Sequence, residues 1–237
     1  MKALILNSGI GKRMGELTRI TNKCMASIED GITIIDRQIM LLDKCGVNQV
    51  VITTGPFARE LEKYVTEKYT QMNFEFAHNH LYDSTNYIYS IFLAKELLND
   101  DIILMHGDLV FDENVLYHIV NSKKSTMVID STLELPEKDF KAVVKDSKVT
   151  KVGLEFFENA YAAQPLYKLL KDDWKVWLNH IIKFCEEGNI NVYAENALNE
   201  ISDKIDIASY DVKGLLCGEI DNLDDLDKIR QELKNRR

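Results

Sequence analysis

The chain is short of several things, and each shortage removes a class of protein. It has four cysteines, Cys24, Cys45, Cys185 and Cys217, but no Cys-x-x-Cys pair and no histidine beside them at zinc-ligand spacing. That removes a zinc ribbon and a disulfide framework and leaves four reduced thiols as the expectation. A cationic excess is missing too: 29 Lys and Arg face 38 Asp and Glu, a formal net charge of −9. A non-specific nucleic-acid binder needs a basic surface, so no nucleic-acid partner is expected. No apolar run approaches the roughly 18 residues of a membrane span. Asn7, Ser8 and Gly9 interrupt the first apolar stretch before it can act as a signal sequence. The expectation is a cytoplasmic protein with no membrane partner. There is no internal repeat, no low-complexity linker and no convincing Ser-His-Asp or Cys-His set.

What is present is a chain of 237 residues, 46% hydrophobic and 28% charged. At that length folding buries roughly 70–75% of the unfolded surface, enough for a full core. Apolar strand-like runs at 2–7, 49–53, 101–105 and 126–129, with a short one at 73–77, alternate with helical patterns at 34–44, 57–69, 86–98 and 113–121. Such alternation predicts an α/β fold, a mostly parallel central sheet flanked by helices. Ligands then bind at the carboxyl ends of the strands. The Gly9 loop, the Thr53–Gly55 turn and the Gly107-Asp108 turn fall on that rim. After about residue 135 the texture changes. A hairpin is expected over 141–145 and 148–152, then a helix at 173–185, a strand at 190–193 and a short helix at 194–201. A strand within "DVKGLLCGEID" and a helix at 223–234 close the chain.

The densest stretch is "LNSGIGKRMGELTRITNKCM". A dinucleotide-binding Rossmann loop needs a third glycine where Met14 stands, and the P-loop pattern G-x-x-x-x-G-K-[ST] is absent. A lone Gly-x-Gly reads as a tight turn with solvated Lys12 and Arg13. This one is followed by Arg19 and Lys23, a local basic cluster in an acidic chain that suits a small anionic ligand.

The stretch resembles the nucleotide-binding signature of the sugar-nucleotidyltransferase superfamily. That signature is an apolar strand, small-Gly-x-Gly-x-Arg, a Leu-Thr step, then Pro-Lys some ten residues after the Arg. Gly9, Gly11, Arg13, Leu17, Thr18 and Lys23 fall on it in order. Asn7-Ser8 replace the usual two alanines, and Asn22 the usual proline. The resemblance implies a GT-A/Rossmann-like nucleotidyltransferase fold. It makes Arg13 and Lys23 catalytic, and Leu6, Asn7, Ser8, Gly9, Ile10, Gly11 and Lys12 substrate-binding. The physics agrees: glycines let backbone N–H groups approach a triphosphate, Arg13 clamps phosphates with its planar fork, and Lys23 meets charge growing on the α-phosphate.

"ILMHGDLVF" matches the superfamily's strand ending in Gly-Asp, and "CGEIDNLDDL" its Glu-x-Asp before a helix. These matches imply Asp108 and Asp221 as ligands of one Mg²⁺, with Glu219 assisting; two carboxylates suffice, because phosphates and water complete the shell. "NHLYDSTNYIYSIFLAKELL" is most similar to phosphocholine cytidylyltransferases and their phosphonate-specific relatives. That implies CTP as donor and places Asn79, Asn86, Tyr89 and Ser90 near nucleotide or acceptor. Tyr82, Tyr87 and Tyr89 read either as an aromatic wall beside a cationic acceptor or as core. Lys141 reads either as a contact to the acceptor's phosphate or as a solvated lysine. Glu195, Asn196, Trp174 and Trp177 border the acceptor pocket in this reading. The whole is one domain, 1–237, with a nucleotide-binding core over about 1–134 and an acceptor-binding, metal-closing elaboration over 135–237. The implied reaction is Mg²⁺-dependent transfer of CMP from CTP to a small phosphorylated or phosphonate acceptor, such as phosphocholine or aminoethylphosphonate, releasing pyrophosphate. A sugar-1-phosphate nucleotidyltransferase using another NTP, and a non-catalytic nucleotide-binding domain, remain as alternatives. A homodimer stays open as the assembly.

Overall fold

The computed structural model describes residues 1–236. Strand β1 (Lys2–Asn7) leads through 3₁₀ turns at Lys12–Arg19 and Lys23–Met25 into a small ribbon, β2 (Ser27–Glu29) and β3 (Ile32–Thr33). Then come α1 (Ile34–Lys44), β4 (Gln49–Thr54), α2 (Ala58–Lys68), β5 (Asn73–His78), α3 (Tyr87–Ala94), β6 (Ile102–His106), β7 (Leu109–Phe111), α4 (Glu113–Asn121) and β8 (Ser125–Asp130). The later part holds β9 (Lys141–Lys145), β10 (Lys148–Gly153), β11 (Ala160–Leu169), α5 (Lys171–Glu186), α6 (Ala194–Glu200), β12 (Ile207–Asp211), β13 (Cys217–Glu219) and α7 (Leu223–Asn235).

One nine-stranded sheet runs through the molecule in the order β5-β4-β1-β6-β11-β8-β12-β10-β9. β1 is buried along almost its whole length because both faces are covered. Leu4 and Leu6 pack towards α3, while Ala3 and Ile5 pack towards α1, the two-faced burial that makes a strand read as one apolar run. β5, β4, β1 and β6 pair in parallel, as expected. Beyond β6 the sheet is mixed: β11 runs antiparallel to β6 and β8, β12 parallel to β8, and β9 and β10 form the expected hairpin. Helix α1 starts at a capping box in which Thr33 and Asp36 satisfy each other's backbone N–H.

Several expectations are corrected. Residues 190–193 form no strand; they are irregular, with the Ile190 carbonyl accepting from Asn86 N–H. The helix expected over 86–98 ends at Ala94 and finishes as a 3₁₀ turn, Lys95–Leu97. Trp174 and Trp177 do not border a pocket. They are core residues, and their indole N–H groups donate to the Leu98 and Ala194 carbonyls. The four cysteines form no disulfide. No helix among the described residues is long and apolar enough to cross a membrane.

A two-stranded ribbon stands outside the main sheet. In it β13 pairs antiparallel with β7, setting Glu219 against Leu109. Ile220 N–H then donates to the Asp108 carbonyl at 3.0 Å. The two distant acidic motifs are thereby stitched side by side.

Candidate active site

A cleft of about 440 Å³ opens where β1 and β6 end. The loop after β1 forms one wall. Gly11 has φ +69°, and a Cβ there would meet Thr18 Cγ2 at 3.0 Å and Lys23 Cβ at 3.2 Å, so no other residue fits comfortably. Thr18 Oγ1 and Met14 N–H both donate to the Gly11 carbonyl, fixing the turn. A Cβ on Gly9 would meet nothing within 4 Å, so this glycine is the open one.

The charged groups meet below that loop. Lys23 Nζ donates to Asp108 Oδ2 at 2.5 Å and Asp221 Oδ1 at 2.9 Å, and Arg13 Nη2 lies 3.0 Å from the same Asp221 oxygen. Burial alone would lower Lys23, but the two carboxylates outweigh it and hold the ammonium above its ordinary pKa. Burial would likewise raise Asp108; the charges of Lys23 and His106 hold it below the usual carboxylate range.

His106, at the end of β6, was not foreseen. Its Nδ1 lies 2.8 Å from Glu219 Oε1. Burial disfavours its charge, but Glu219 more than compensates and pushes His106 up to about 9. Glu219 is also raised, by burial and by the Asp108 charge. With His106 at about 9, the imidazole carries the pair's proton at neutral pH. The Tyr87 ring packs edge-on to His106 with centroids 5.0 Å apart. Behind it, the Tyr87 and Tyr167 hydroxyls both donate to the buried Glu195 carboxylate.

A neutral group completes the cleft. Asn79 Nδ2 donates to Thr85 Oγ1 and Ser90 Oγ, each at 3.0 Å, and Asn86 caps α3 by accepting from Tyr87 N–H. Thus the cleft gathers Leu6 to Arg13, Lys23, Asn79, Asn86, Ser90, Asp108 and Asp221, together with Tyr82 and Tyr87 of the expected aromatic wall, all named from sequence, and adds Thr85 and His106. Besides the two tryptophans, four expected residues stand elsewhere. Asn196 helps cap α6, its Oδ1 accepting from Tyr193 N–H at 3.0 Å. Tyr89 is stacked on Phe92, centroids 5.7 Å apart. Lys141 is fully buried, donates to the Pro136 and Asp139 carbonyls at 2.5 and 3.2 Å, and lies 4.1 Å over the Phe157 ring. Glu195 sits one layer back, behind Tyr87. His106 had one signal in the sequence, a histidine just before the Gly-Asp. Its partner Glu219 lies 113 positions away, and no local pattern joins them.

Five buried side-chain atoms among the described residues lack a hydrogen-bond partner. Four of them, Asn7 Nδ2, Ser8 Oγ, His106 Nε2 and Asp108 Oδ1, belong to this cleft; the fifth is Gln38 Oε1. Buried polar atoms are rarely left unpaired, so the cleft is built for a polar guest. A divalent cation fits the donor set. Asp108 keeps a free oxygen, ligand atoms of His106, Asp108 and Glu219 lie within 4.8 Å of one another, and the Lys23 ammonium already bridges Asp108 to Asp221 as a cation would.

Residues 3–133 match the family described as the MobA-like NTP transferase domain. Choline-phosphate cytidylyltransferase of Streptococcus pneumoniae is 26% identical, over 99% of both chains. CTP:phosphoglutamine cytidylyltransferase of Campylobacter jejuni is 29% identical over 64% of this chain and 62% of its own length. The solved structure of CTP:phosphocholine cytidylyltransferase from Streptococcus pneumoniae superposes with a TM-score of 0.80 at 24% identity, covering 98% of each chain, and so has the same α/β fold.

Proposed function

The chain belongs to the MobA-like NTP transferase domain family, and from that membership we propose that it transfers CMP from CTP to a small phosphorylated or phosphonate acceptor, releasing pyrophosphate. The observation that carries this reading is the triangle of Lys23, Asp108 and Asp221 beneath an open glycine loop. The names of the similar enzymes support the choice of cytidylyl group and acceptor class.

The acceptor's oxyanion attacks the α-phosphorus, a new P–O bond forms, and the bond from the α-phosphorus to the bridging oxygen breaks. The electron pair leaves with pyrophosphate. A phosphate monoester or phosphonate is already ionised near neutral pH, so no general base is required. Lys23 neutralises charge that grows on the α-phosphate oxygens, and Arg13, two-thirds exposed at the mouth, holds the leaving phosphates. Asp108 and Asp221, with Glu219 alongside, would hold Mg²⁺. Such an ion, when bound, supplies Lewis-acid neutralisation of the phosphates. Tyr87 and the buried Glu195 behind it give an acceptor carrying a positive group an aromatic, electronegative wall.

The test is pyrophosphate release by the purified protein with each of four NTPs and Mg²⁺. The acceptors are phosphocholine, phosphoethanolamine, 2-aminoethylphosphonate, phosphoglutamine and sugar 1-phosphates. Turnover with CTP and a phospho- or phosphono-acceptor is expected. Preference for UTP, dTTP or GTP with a sugar 1-phosphate overturns the reading. So does nucleotide binding without turnover on any acceptor.

A further inference from the structure

The two aspartates of the cleft keep their places without help from Lys23. β7 pairs with β13, and Ile220 N–H donates to the Asp108 carbonyl at 3.0 Å, so the backbone that carries one aspartate is fixed by the backbone that carries the other. Asp221 N–H is held in turn by Asp225 Oδ2 at 3.1 Å. Lys23 reaches between the two carboxylates from its own 3₁₀ turn. Its ammonium lies 2.5 Å from Asp108 Oδ2 and 2.9 Å from Asp221 Oδ1, and Arg13 brings a second cation to that Asp221 oxygen at 3.0 Å.

One oxygen of each aspartate is therefore claimed by a positive charge. A Mg²⁺ bridging the same two carboxylates would sit about 2.1 Å from each oxygen it used. The ammonium between them would then face a divalent charge a few ångströms away, and like charges that close repel strongly in a shielded cleft. Lys23 is 12% exposed, so salt and water screen little of that repulsion. Lys23 and Arg13 also offset the charges of Asp108 and Asp221, and His106 is paired with Glu219. The ligand-free site thus exerts little net pull on a free divalent ion. A polyanion in the cleft, which both Lys23 and Arg13 line, changes the balance. It gives the two cations another partner and uncovers the carboxylates.

We propose that Lys23 is an internal counter-ion that occupies the metal seat of the ligand-free enzyme, so that a divalent cation binds well only once the nucleotide draws the lysine away. This rests on the nucleotidyl-transfer reading. It deepens that reading by giving Lys23 control over when the metal enters, besides its part in the chemistry. Linkage makes the coupling reciprocal: the metal tightens nucleotide binding by the factor by which the nucleotide tightens metal binding.

The experiment titrates Mn²⁺ alone, an ion that takes the same oxygen ligands as Mg²⁺, into wild type, Lys23→Met and Lys23→Arg. Electron paramagnetic resonance follows the bound ion, and thermal melting is recorded with and without it. Lys23→Met is expected to bind one Mn²⁺ about tenfold or more tighter than wild type, within the usual range of such couplings. It is also expected to melt higher when the ion is added, because binding to the folded state alone stabilises it. Lys23→Arg keeps the charge and is expected to bind as weakly as wild type. Adding Asp221→Asn to Lys23→Met is expected to abolish the gained site, which separates it from ions scattered over the acidic surface. Lys23→Gln gives the same comparison if Lys23→Met does not fold. In wild type, Mn²⁺ is expected to raise the melting temperature only together with CTP, or with whichever NTP pyrophosphate release selects. Equal or weaker Mn²⁺ binding in the uncharged variant overturns the proposal. So does a gained site that survives Asp221→Asn, and so does a wild type that Mn²⁺ alone stabilises as much as it does Lys23→Met. The Mn²⁺ comparison needs no turnover, so its failure overturns this proposal and leaves the transfer reading to the pyrophosphate-release assay.

Discussion

Asp36 and Asp108 are both shielded aspartates with a lysine at hand, yet they are finished to different degrees. Asp36 is fully buried at the start of α1 and has every lone pair used. Thr33 N–H and Oγ1 each donate to Oδ2 at 2.9 Å, Tyr69 to Oδ1 at 2.6 Å, Tyr64 to both oxygens, and Lys68 reaches Oδ1 at 2.9 Å. Asp108 has Lys23 on one oxygen and nothing on the other. Like-charged Asp221 and Glu219 crowd it, which a stable core would avoid. A saturated carboxylate is a structural device. An unsaturated one among other acids is a socket.

The largest effect that tests this contrast is Asp108→Asn. Turnover is expected to fall roughly 10³-fold or more, the scale of losing a metal ligand and a preorganised charge, while the melting temperature holds or rises. Melting that collapses with activity would put Asp108 in the same class as Asp36.

Next is Lys23→Ala, which separates two cations of one site. Lys23 is 12% exposed and touches both carboxylates; Arg13 is 67% exposed and touches one. Losing a donor that acts chiefly in the transition state lowers kcat, whereas losing uniform binding raises KM. Lys23→Ala is expected to lower kcat by roughly 10²–10³, and Arg13→Ala to show more of its loss in the KM for CTP. An unchanged kcat in Lys23→Ala at saturating substrates removes Lys23 from the chemistry.

The two aspartates were also unequally legible. Asp108 was singled out because the apolar run followed by Gly-Asp matches the superfamily's motif, and Lys23 because it keeps that signature's spacing from Arg13. Asp36 carries no motif. Its tyrosines come from α2 and the residue after it, and only tertiary packing brings them together. The same physics divides the fold. β1, β4 and β6 are buried on both faces and show it in sequence. β11 was missed because Gln164 and Pro165 interrupt it; the proline sits where the β11–β8 register shifts, between Gln164 and Tyr167, so the ladder tolerates it. The Trp174 and Trp177 pair was misplaced because a helix stripe does not say whether it faces a pocket or a core.

Asp36→Asn gives the next effect, on stability alone. The substitution turns one acceptor oxygen into a donor that faces the donors already aimed at it, at a cost of about 2–4 kcal/mol. A lower urea midpoint with unchanged kcat is expected, the mirror image of Asp108→Asn. Reduced kcat with an unchanged midpoint would tie Asp36 to the reaction instead.

The smallest effect is the pH dependence of that stability difference, and its sign follows from the carboxylate's surroundings. Burial by itself would raise Asp36, but the Tyr69 hydroxyl, Thr33 N–H, Lys68 and Tyr64 outweigh it, so the folded-state pKa lies below the ordinary value. A group with a depressed folded pKa contributes stability above its unfolded pKa, near about 4 for Asp, and loses it as pH falls through the folded value. Wild type minus Asp36→Asn is therefore expected to be constant from pH 7 to about 5, then to shrink below about 4. Three of the four donor groups are neutral hydroxyls or backbone, so adding salt at pH 7 should change the difference little. Urea unfolding of both proteins at pH 7, 5 and 3 measures it. A difference that grows on acidification would mean the carboxyl is protonated in the folded protein. Asp36 would then be donating rather than accepting, and the contrast with Asp108 would fail at its root.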